Sequence, residues 1–169
     1  INDAASSDIT RKWRNDLPEI YSMNCDSWYA SSKTTPCVFG NQSATKTVVL
    51  LGDSILAQWF SLLPATFPLS EWRIIVHTKS SCPMVDEPYF YPRIKKNYQV
   101  CSDWRENVFA DVSKMRPDLV FMGNSSSYSF DEIQWRDGSL RVLNKLSPVT
   151  QNIFVIQGSP QLGFDGPAC

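Results

Sequence analysis

The sequence has a single histidine and no long run of apolar or like-charged residues. Because His77 is the only histidine, the sequence argues against a histidine-based metal site. The five cysteines include no Cys-x-x-Cys pair of the kind that holds zinc. The longest aliphatic runs, residues 48–51 and 74–76, are far shorter than the ~20 residues of a membrane span. Sixteen basic and 17 acidic residues, without a long basic block, argue against nucleic acid as a partner. The glycine fingerprints of nucleotide-binding loops are also missing, so we expect no nucleotide cofactor.

What is present is the composition of one globular domain. Hydrophobic residues make up 43% and charged residues 20% of the 169 residues, which is not the composition of a disordered chain. A chain of this length buries roughly 70% of its unfolded surface, which is enough for a substantial core. The sequence has no internal repeat and no low-complexity tract.

The five cysteines fit two disulfides and one residue left over. Pairing sequence neighbours joins Cys25 with Cys37 and Cys82 with Cys101, which indicates an oxidising compartment such as a periplasm or the cell exterior. The alternative is five reduced cysteines buried in a cytosolic protein. Cys169 is the unpaired last residue, and we expect the natural chain to continue beyond it.

Residues 1–43 are polar and irregular, and we predict an N-terminal extension with a disulfide loop, followed by a domain over residues 44–169. Within the extension, the spacing of Ile9, Trp13 and Leu17 predicts a short helix. In the domain, short apolar runs predict four strands, at residues 47–51, 72–76, 118–122 and 153–156.

Helical periodicity predicts three helical segments between these strands. The first segment ends at Pro64 and Pro68, and the second begins at Ser102, which caps it. The third begins with a capping box at Ser129 and is broken at Gly138. The alternation of strands and helices is typical of an α/β fold, with a parallel sheet that helices cover on both faces. Such sheets bind ligands at the carboxyl ends of their strands.

The first strand is followed by Gly52, Asp53 and Ser54, which place a hydroxyl near the start of a helix. An acyl-transfer nucleophile needs such an exposed hydroxyl beside backbone N–H groups that stabilise a developing oxyanion. The alternative is that Asp53 or Ser54 only caps the helix.

The third strand is followed by Gly123 and Asn124. The amide of Asn124 can point into the same crevice and serve as a second oxyanion donor. The alternative is a turn residue, because asparagine tolerates left-handed backbone conformations.

The loop over residues 83–100 is rich in proline and aromatic residues. Tyr89 and Tyr91 either stack on sugar rings over the cleft or cover an edge of the sheet. His77 ends the second strand, but we expect a packed side chain there and not a general base. Asp131 and Asp137 are expected to be solvated residues at helix starts.

Two of these motifs resemble those of the SGNH (GDSL-type) hydrolase superfamily. Residues 48–54 resemble its block I, and Gly123-Asn124 resembles its block III, Gly-x-Asn-Asp, although Ser125 stands where the family has the aspartate. The resemblance implies a three-layer α/β/α sandwich with a flavodoxin-like parallel sheet.

Further segments narrow this resemblance. Residues 78–83, the Cys101-x-x-Trp104 spacing, and residues 158–160 with 167–169 are similar to SGNH domains fused to acyltransferase-3 membrane proteins of bacteria. Those proteins O-acetylate cell-envelope glycans such as lipopolysaccharide O-antigen. The resemblance covers about residues 20–169. It implies a periplasmic location, tethering to the inner membrane, and an acyl donor and an envelope polysaccharide as partners.

The resemblance also implies roles for individual residues. Ser54 would be the nucleophile, and Asn124 and the Ser54 N–H would form the oxyanion hole. An N–H of Ser80 or Ser81 would replace the usual block II glycine, while Asp53 and Gly123 would line the substrate site. No metal and no cofactor is implied.

One departure from the family affects catalysis directly. Block V, an Asp-x-x-His motif, and the last strand of the family are missing from these 169 residues. We therefore expect a C-terminally incomplete SGNH domain that is inactive alone. The predicted function is serine-dependent acyl transfer to, or ester hydrolysis on, an envelope glycan. The alternative is a non-catalytic carbohydrate-binding or assembly domain of the same machinery.

Overall fold

A five-stranded sheet forms the centre of the molecule. The computed structural model describes residues 17–26 and 28–159, so most of the helix predicted around Ile9 and Trp13 lies outside it. Its strands are β1 (Cys37–Gly40), β2 (Lys46–Gly52), β3 (Trp72–Thr78), β6 (Leu119–Asn124) and β7 (Asn152–Gln157), and a separate hairpin pairs β4 (Phe90–Tyr91) with β5 (Lys96–Asn97). The strand order in the sheet is β1-β3-β2-β6-β7, and all neighbours run parallel except β1, which is antiparallel to β3.

Helices lie on both faces of this sheet, as predicted. They are α1 (Glu19–Ser22), α2 (Ser54–Ala57), α3 (Leu62–Thr66), α4 (Gln99–Met115) and α5 (Glu132–Leu146). The central strand β2 alternates between two cores. Val48 and Leu50 pack with residues of α1 to α3, while Val49 and Leu51 pack with residues of α4 and α5. Because both faces are buried, a continuous apolar run is what this strand requires.

Strand β1 lies within the segment that we predicted to be irregular. Its residues alternate between half-buried and exposed, so the apolar signal is weak. The Cys25–Cys37 disulfide joins β1 to the preceding segment, in which Ile20 and Cys25 are buried in the core. Residues 17–26 and 28–40 are therefore held to the sheet through this strand and disulfide. The division of the chain at residue 43 stays a prediction.

The first predicted helix is in fact two short ones, α2 and α3, joined by a turn. Pro64 does not end the helix, because it is the third residue of α3. In the first turn of a helix the missing proline N–H has no intrahelical acceptor to lose.

Two predicted helix ends and one predicted break are also wrong. Helix α4 begins at Gln99, and Ser102 lies inside its first turn, where its hydroxyl accepts a hydrogen bond from Arg105. Helix α5 is capped by Asp131, not Ser129, through a capping box with Gln134. Gly138 does not break α5, which is continuous from Glu132 to Leu146.

Gly138 is instead a point of close packing. Its carbonyl oxygen accepts a hydrogen bond from Asp86 N, and a Cβ at this position would lie 2.5 Å from Val85 Cγ1. A side chain here would therefore push the loop over residues 85–87 away from α5.

The register places the ends of three strands side by side. Gly52 of β2 lies opposite Thr78 of β3 and Gly123 of β6. The residues that follow these strands therefore share one edge of the sheet, where parallel α/β proteins form their sites. Within the described part of the chain, no helix has the length and apolar character needed to cross a membrane.

Candidate active site

Ser54 is the first residue of α2, directly after β2, and it is half-buried. The cap of this helix is Asp53, whose Oδ1 accepts hydrogen bonds from the N–H groups of Ile55 and Leu56 at 2.9 and 3.4 Å. Capping therefore falls to the aspartate, and the neighbouring serine hydroxyl is available for other contacts.

A cavity of about 450 Å³ lies against Ser54. We call it the serine cavity. Ser54 and Ser80 enter it from the ends of the adjacent strands β2 and β3, and the other walls come mainly from the segment before β1. Its lining residues are Leu17, Pro18, Tyr21, Asp26, Trp28, Ser54, Gln58 and Ser80.

Hydroxyl groups and one carboxylate form a network in the serine cavity. Ser80 Oγ donates a hydrogen bond of 2.8 Å to Asp26 Oδ2. The Tyr21 hydroxyl interacts with the hydroxyls of both Ser80 and Ser54. Burial raises the pKa of Tyr21, with smaller opposing effects from the serine hydroxyls. Tyr21 therefore stays protonated at neutral pH and can donate to a neighbouring oxygen.

Lys79 fixes the turn that forms one wall of the cavity. Its side chain is fully buried, and its Nζ donates to the carbonyl oxygens of Trp28 and, at 2.7 Å, Ser31. Burial lowers the pKa of Lys79 to about 8, while the carboxylate of Asp26 acts in the opposite direction. The buried ammonium thus holds the turn through its carbonyl groups.

Asp53 connects the end of β2 to the loop after β6. Its Oδ2 accepts hydrogen bonds from Ser125 N at 2.9 Å and from the Tyr128 hydroxyl at 2.6 Å. Asp53 is 1% exposed, and burial raises its pKa. Asp53 thus holds two loops together, and its predicted place in the substrate site stays a prediction.

Asn124 lies in a different environment from Ser54. Its Oδ1 accepts a hydrogen bond from Met84 N at 3.1 Å, and its Nδ2 donates to Ser125 O at 3.0 Å. It lines a second cavity of about 360 Å³, which we call the asparagine cavity and which is mostly apolar. Gly123, Met84, Met122, Trp135, Leu143 and Ile156 are among its other lining residues.

The two predicted oxyanion residues therefore line separate cavities, although their strands are neighbours. The carboxamide of Asn124 carries two N–H bonds, and the contact with Ser125 uses one of them. The oxyanion role of Asn124 stays a prediction.

The structure treats the two candidate serines of block II differently. Ser80 lies in the serine cavity. Ser81 has a left-handed backbone with φ of 59°, and its hydroxyl donates to the Tyr91 hydroxyl at 3.0 Å. Of the pair, the structure brings the side chain of Ser80 to Ser54 and directs that of Ser81 to the aromatic loop.

Tyr89 and Tyr91 belong to an aromatic cluster. The Tyr91 ring is stacked against both Tyr89 and Tyr98, and the residue is only 9% exposed. Little of the Tyr91 ring is therefore open to a sugar, and its role in sugar stacking stays a prediction. Tyr89 contacts Tyr128 and Phe130, away from the serine cavity.

His77 is not placed to act as a base for Ser54. It lies within β3, opposite Leu51, and is 2% exposed. Its Nε2 has no hydrogen-bond partner among the described residues, and burial lowers its pKa to about 4 despite the carboxylate of Asp111. The described lining of the serine cavity does not include it.

The two aspartates have structural roles on α5. Asp131 caps the helix, as a residue at a helix start was expected to do. Asp137 lies in the middle of α5 and pairs with Arg136 at 2.7 Å, so its predicted place at a helix start is wrong.

Sequence reasoning missed three residues of the serine cavity, namely Tyr21, Asp26 and Trp28. All three flank Cys25, whose predicted disulfide was the available signal that this segment is held to a structured region. Both predicted disulfides, Cys25–Cys37 and Cys82–Cys101, are present.

Comparisons with known proteins bear on this site. The family model described as "SGNH domain (fused to AT3 domains)" matches residues 24–167. No curated protein matches the chain. The solved periplasmic domain of a lipopolysaccharide acetyltransferase from Salmonella ser. Paratyphi A is similar in fold, with a TM-score of 0.52 and 18% sequence identity.

The similarity to that structure covers 69% of this chain and 46% of the other, so the chain spans less than half of the solved domain. The family match is much broader, since it runs from just before Cys25 to near the end of the sequence and includes Ser54, Ser80 and Asn124. The mostly parallel sheet, the serine after β2 and the extent of this match lead to one conclusion: the chain belongs to the family of SGNH domains that occur fused to acyltransferase-3 domains.

Proposed function

We propose that this chain is the SGNH domain of an acyl-transfer system that modifies a cell-envelope glycan, with Ser54 as its nucleophile. The family match supports an acyltransferase-3 membrane domain in the same protein. The two disulfides support an extracytoplasmic location, because such bonds persist in oxidising compartments. The solved relative is a lipopolysaccharide acetyltransferase domain, which suggests a polysaccharide as acceptor.

The position of Ser54 carries this proposal. Its hydroxyl lies at the carboxyl edge of the sheet, in a cavity with Tyr21 and Ser80. In the first step Ser54 Oγ forms an ester with the acyl group, the bond between acyl group and donor breaks, and a base moves the Oγ proton to the leaving group. In the second step a sugar hydroxyl attacks this ester and gives its proton to the base, the bond to Ser54 breaks, and the base returns the proton to Ser54 Oγ. Water in place of the sugar gives hydrolysis.

No histidine of the described residues lines the serine cavity to act as the base for these steps. His77 is the only histidine, and it is buried in β3. We therefore propose that catalysis by Ser54 needs a base from outside these 169 residues. A serine triad without its histidine loses several orders of magnitude in rate, so the chain alone should be a very slow esterase.

The oxyanion donors form a second part of the proposal. The candidate donors at this edge are the N–H of Ser54, the N–H of Ser80 or Ser81, and the second side-chain N–H of Asn124. Each good donor in such a site contributes about 10²–10³ in rate. Asn124 can contribute only if its amide reaches the same oxygen as the Ser54 N–H.

Chemical rescue provides a direct test. Imidazole added to the chain should restore hydrolysis of p-nitrophenyl acetate, because a small base can enter a cavity of about 450 Å³. The Ser54→Ala variant measures the hydrolysis by free imidazole, and the exposed Ser43→Ala is the matched control. In the presence of imidazole, a fluorophosphonate probe should label Ser54 in the same protein, as read by peptide mass spectrometry. Equal imidazole-dependent rates in wild type and Ser54→Ala would contradict the proposal.

A non-catalytic role is the second candidate function, and the burial of His77 favours it. A carbohydrate-binding or assembly domain needs the cavity but not the chemistry of Ser54. It predicts neither probe labelling nor rescue, together with glycan binding that survives Ser54→Ala.

A further inference from the structure

We propose that Trp28, with Arg93 stacked on it, forms an acceptor subsite beside Ser54 and takes a sugar ring that carries an acidic group. The inference rests on the proposed function, because it assigns the acceptor a place next to the proposed nucleophile. It also differs from the sequence analysis, which offered sugar stacking by Tyr89 and Tyr91 as one of two alternatives.

The aromatic surface is exposed at the rim of the cavity. Trp28 lines the serine cavity together with Ser54 and Ser80, and 39% of it is open to solvent. Tyr29 packs edge-on against it with a centroid distance of 5.2 Å and is 41% exposed. Trp28 thus offers an exposed indole in the cavity that contains Ser54, and Tyr29 extends its aromatic surface away from that cavity.

The backbone holds Trp28 in a strained conformation. Its φ is +33°, in a region that bulky residues rarely occupy. Its N–H donates to Asp26 Oδ1 at 2.7 Å, and its carbonyl oxygen accepts from buried Lys79. Strain of this kind persists only where the surroundings impose it, and it concentrates at ligand sites. A rigidly held indole loses little conformational freedom when a ligand binds.

Arg93 supplies the charge. Its guanidinium carbon lies 4.4 Å from the centre of the Trp28 ring, and the residue is exposed. Lys95 and Lys96 are exposed on the same loop, and residues 93–96 contain no acidic side chain. The carboxylate of Asp26, in contrast, lies within the cavity and accepts from Ser80. Arg93 therefore puts a positive group at Trp28, while the cavity interior carries a negative one.

This distribution of charge and ring surface selects a class of ligand. The C–H face of a pyranose packs on an indole, and the planar guanidinium of arginine pairs with carboxylate or phosphate through two parallel hydrogen bonds. An acidic substituent is repelled by Asp26 and drawn to Arg93, which leaves a ring hydroxyl to face Ser54. A glycan with uronic acid residues has these features.

Binding by the intact chain tests the proposal without any turnover. The probes are tri-galacturonic acid and the same trisaccharide with its carboxyl groups reduced to alcohols, titrated against the Ser54→Ala protein and followed by NMR of the tryptophan indole N–H signals. We expect preference for the acidic probe, and this preference should weaken as salt is added. Trp28→Ala should lower affinity for both probes about 10-fold or more, in the range of an aromatic anchor. Arg93→Gln should abolish the preference, with the larger loss of affinity for the acidic probe.

Matched controls separate recognition from general effects. Trp59 has nearly the same exposure, 42%, and lies outside the serine cavity, so Trp59→Ala should bind as the parent does. Arg136→Gln removes an exposed arginine on α5. The proposal is overturned by equal affinity for the two probes, by no binding of either at millimolar concentration, or by unchanged affinity in Trp28→Ala. Because labelling and rescue at Ser54 are measured separately, such a failure leaves the proposed nucleophile standing, and loss of the nucleophile leaves this binding assay intact.

Discussion

The two cavities at the carboxyl edge of the sheet differ in chemistry although their strands are neighbours. The serine cavity lies at the ends of β2 and β3, where Ser54 and Ser80 supply hydroxyl groups. The segment before β1 adds the Tyr21 hydroxyl and the Asp26 carboxylate. The asparagine cavity, between β6, β7 and α5, is lined mainly by methionine, tryptophan and aliphatic side chains. The serine cavity places the proposed nucleophile beside a tyrosine hydroxyl and a carboxylate, whereas the polar side chains of the asparagine cavity are those of Asn124, Ser126, Ser139 and Gln157. Residues at adjacent strand ends thus need not share one site, because the segments packed over them determine their surroundings.

The contact between the two regions is made by backbone and one buried carboxylate. Gly52 and Gly123 lie side by side in register, and Asp53 reaches across to Ser125 and Tyr128. Substitutions at this boundary therefore show how far the two cavities depend on each other.

The largest effect is expected for Gly52→Ala. A Cβ at this position would lie 2.1 Å from Gly123 O and 2.7 Å from Leu56 Cδ2, so β2 and β6 cannot keep their pairing. We expect a loss of about 3 kcal/mol or more in the free energy of unfolding, measured by urea denaturation. The exposed Ser43→Ala should remain within about 0.5 kcal/mol of wild type. If Gly52→Ala is as stable as wild type, β2 and β6 can accommodate a methyl group at this position, which would contradict the prediction.

The next effect is expected for Asn124→Ala, which tests whether the asparagine cavity takes part in catalysis. If the free N–H of Asn124 serves the oxyanion, the imidazole-dependent rate should fall about 10²-fold or more, as for other single oxyanion donors. Loss of the acceptor for Met84 N should cost only about 1–3 kcal/mol in stability. Ser126→Ala, in the same cavity, is the control. An unchanged rate per folded molecule would leave Asn124 as a turn residue.

Residue patterns predicted the buried parts of this fold better than its edges. Strand β2 was predictable because burial on both faces leaves a run of apolar residues, whereas β1 is half-exposed and depends on the partner strand and the Cys25–Cys37 bond. A helix break was predicted at Gly138 because a local sequence pattern shows only that glycine has a low intrinsic helix propensity. Its actual role follows from the loop that packs against it.

The same distinction applies to the site. Ser54 and Ser80 were predictable because each follows a strand directly. Tyr21 and Trp28 were not, because they reach Ser54 only through the packing of a segment far from it in sequence. The hydrogen bond between Asn124 and Met84 N likewise depends on tertiary structure. It holds the amide of Asn124 in a different environment from Ser54.

A smaller effect, which depends on pH, is expected for Asp53→Asn. Burial raises the pKa of Asp53 above its ordinary value of 3.8, so the folded state holds its proton more tightly than the unfolded state does. Between the pKa of Asp53 in the unfolded state and its higher pKa in the folded state, the folded protein binds more protons. The contribution of Asp53 to the free energy of unfolding therefore falls as pH rises through this range. The stability difference between wild type and Asp53→Asn should therefore be largest below about pH 4 and shrink as pH rises through the folded pKa. Thermal unfolding from acidic to neutral pH measures this difference, and a difference that grows with pH would contradict it.

The smallest effect is expected for Tyr21→Phe, which alters the serine cavity alone. The substitution removes the hydroxyl that interacts with Ser54 and Ser80 and keeps the ring. One neutral hydrogen bond contributes about 0.5–1.5 kcal/mol, so the imidazole-dependent rate should fall roughly 2- to 10-fold. Because burial raises the pKa of Tyr21, its hydroxyl is protonated across the neutral range, and the rate ratio of wild type to variant should not change with pH there. Tyr91→Phe, which removes a hydroxyl from the aromatic cluster, should leave the rate unchanged. A ratio that changes steeply near neutral pH would instead assign proton transfer to Tyr21 and contradict a role limited to hydrogen bonding.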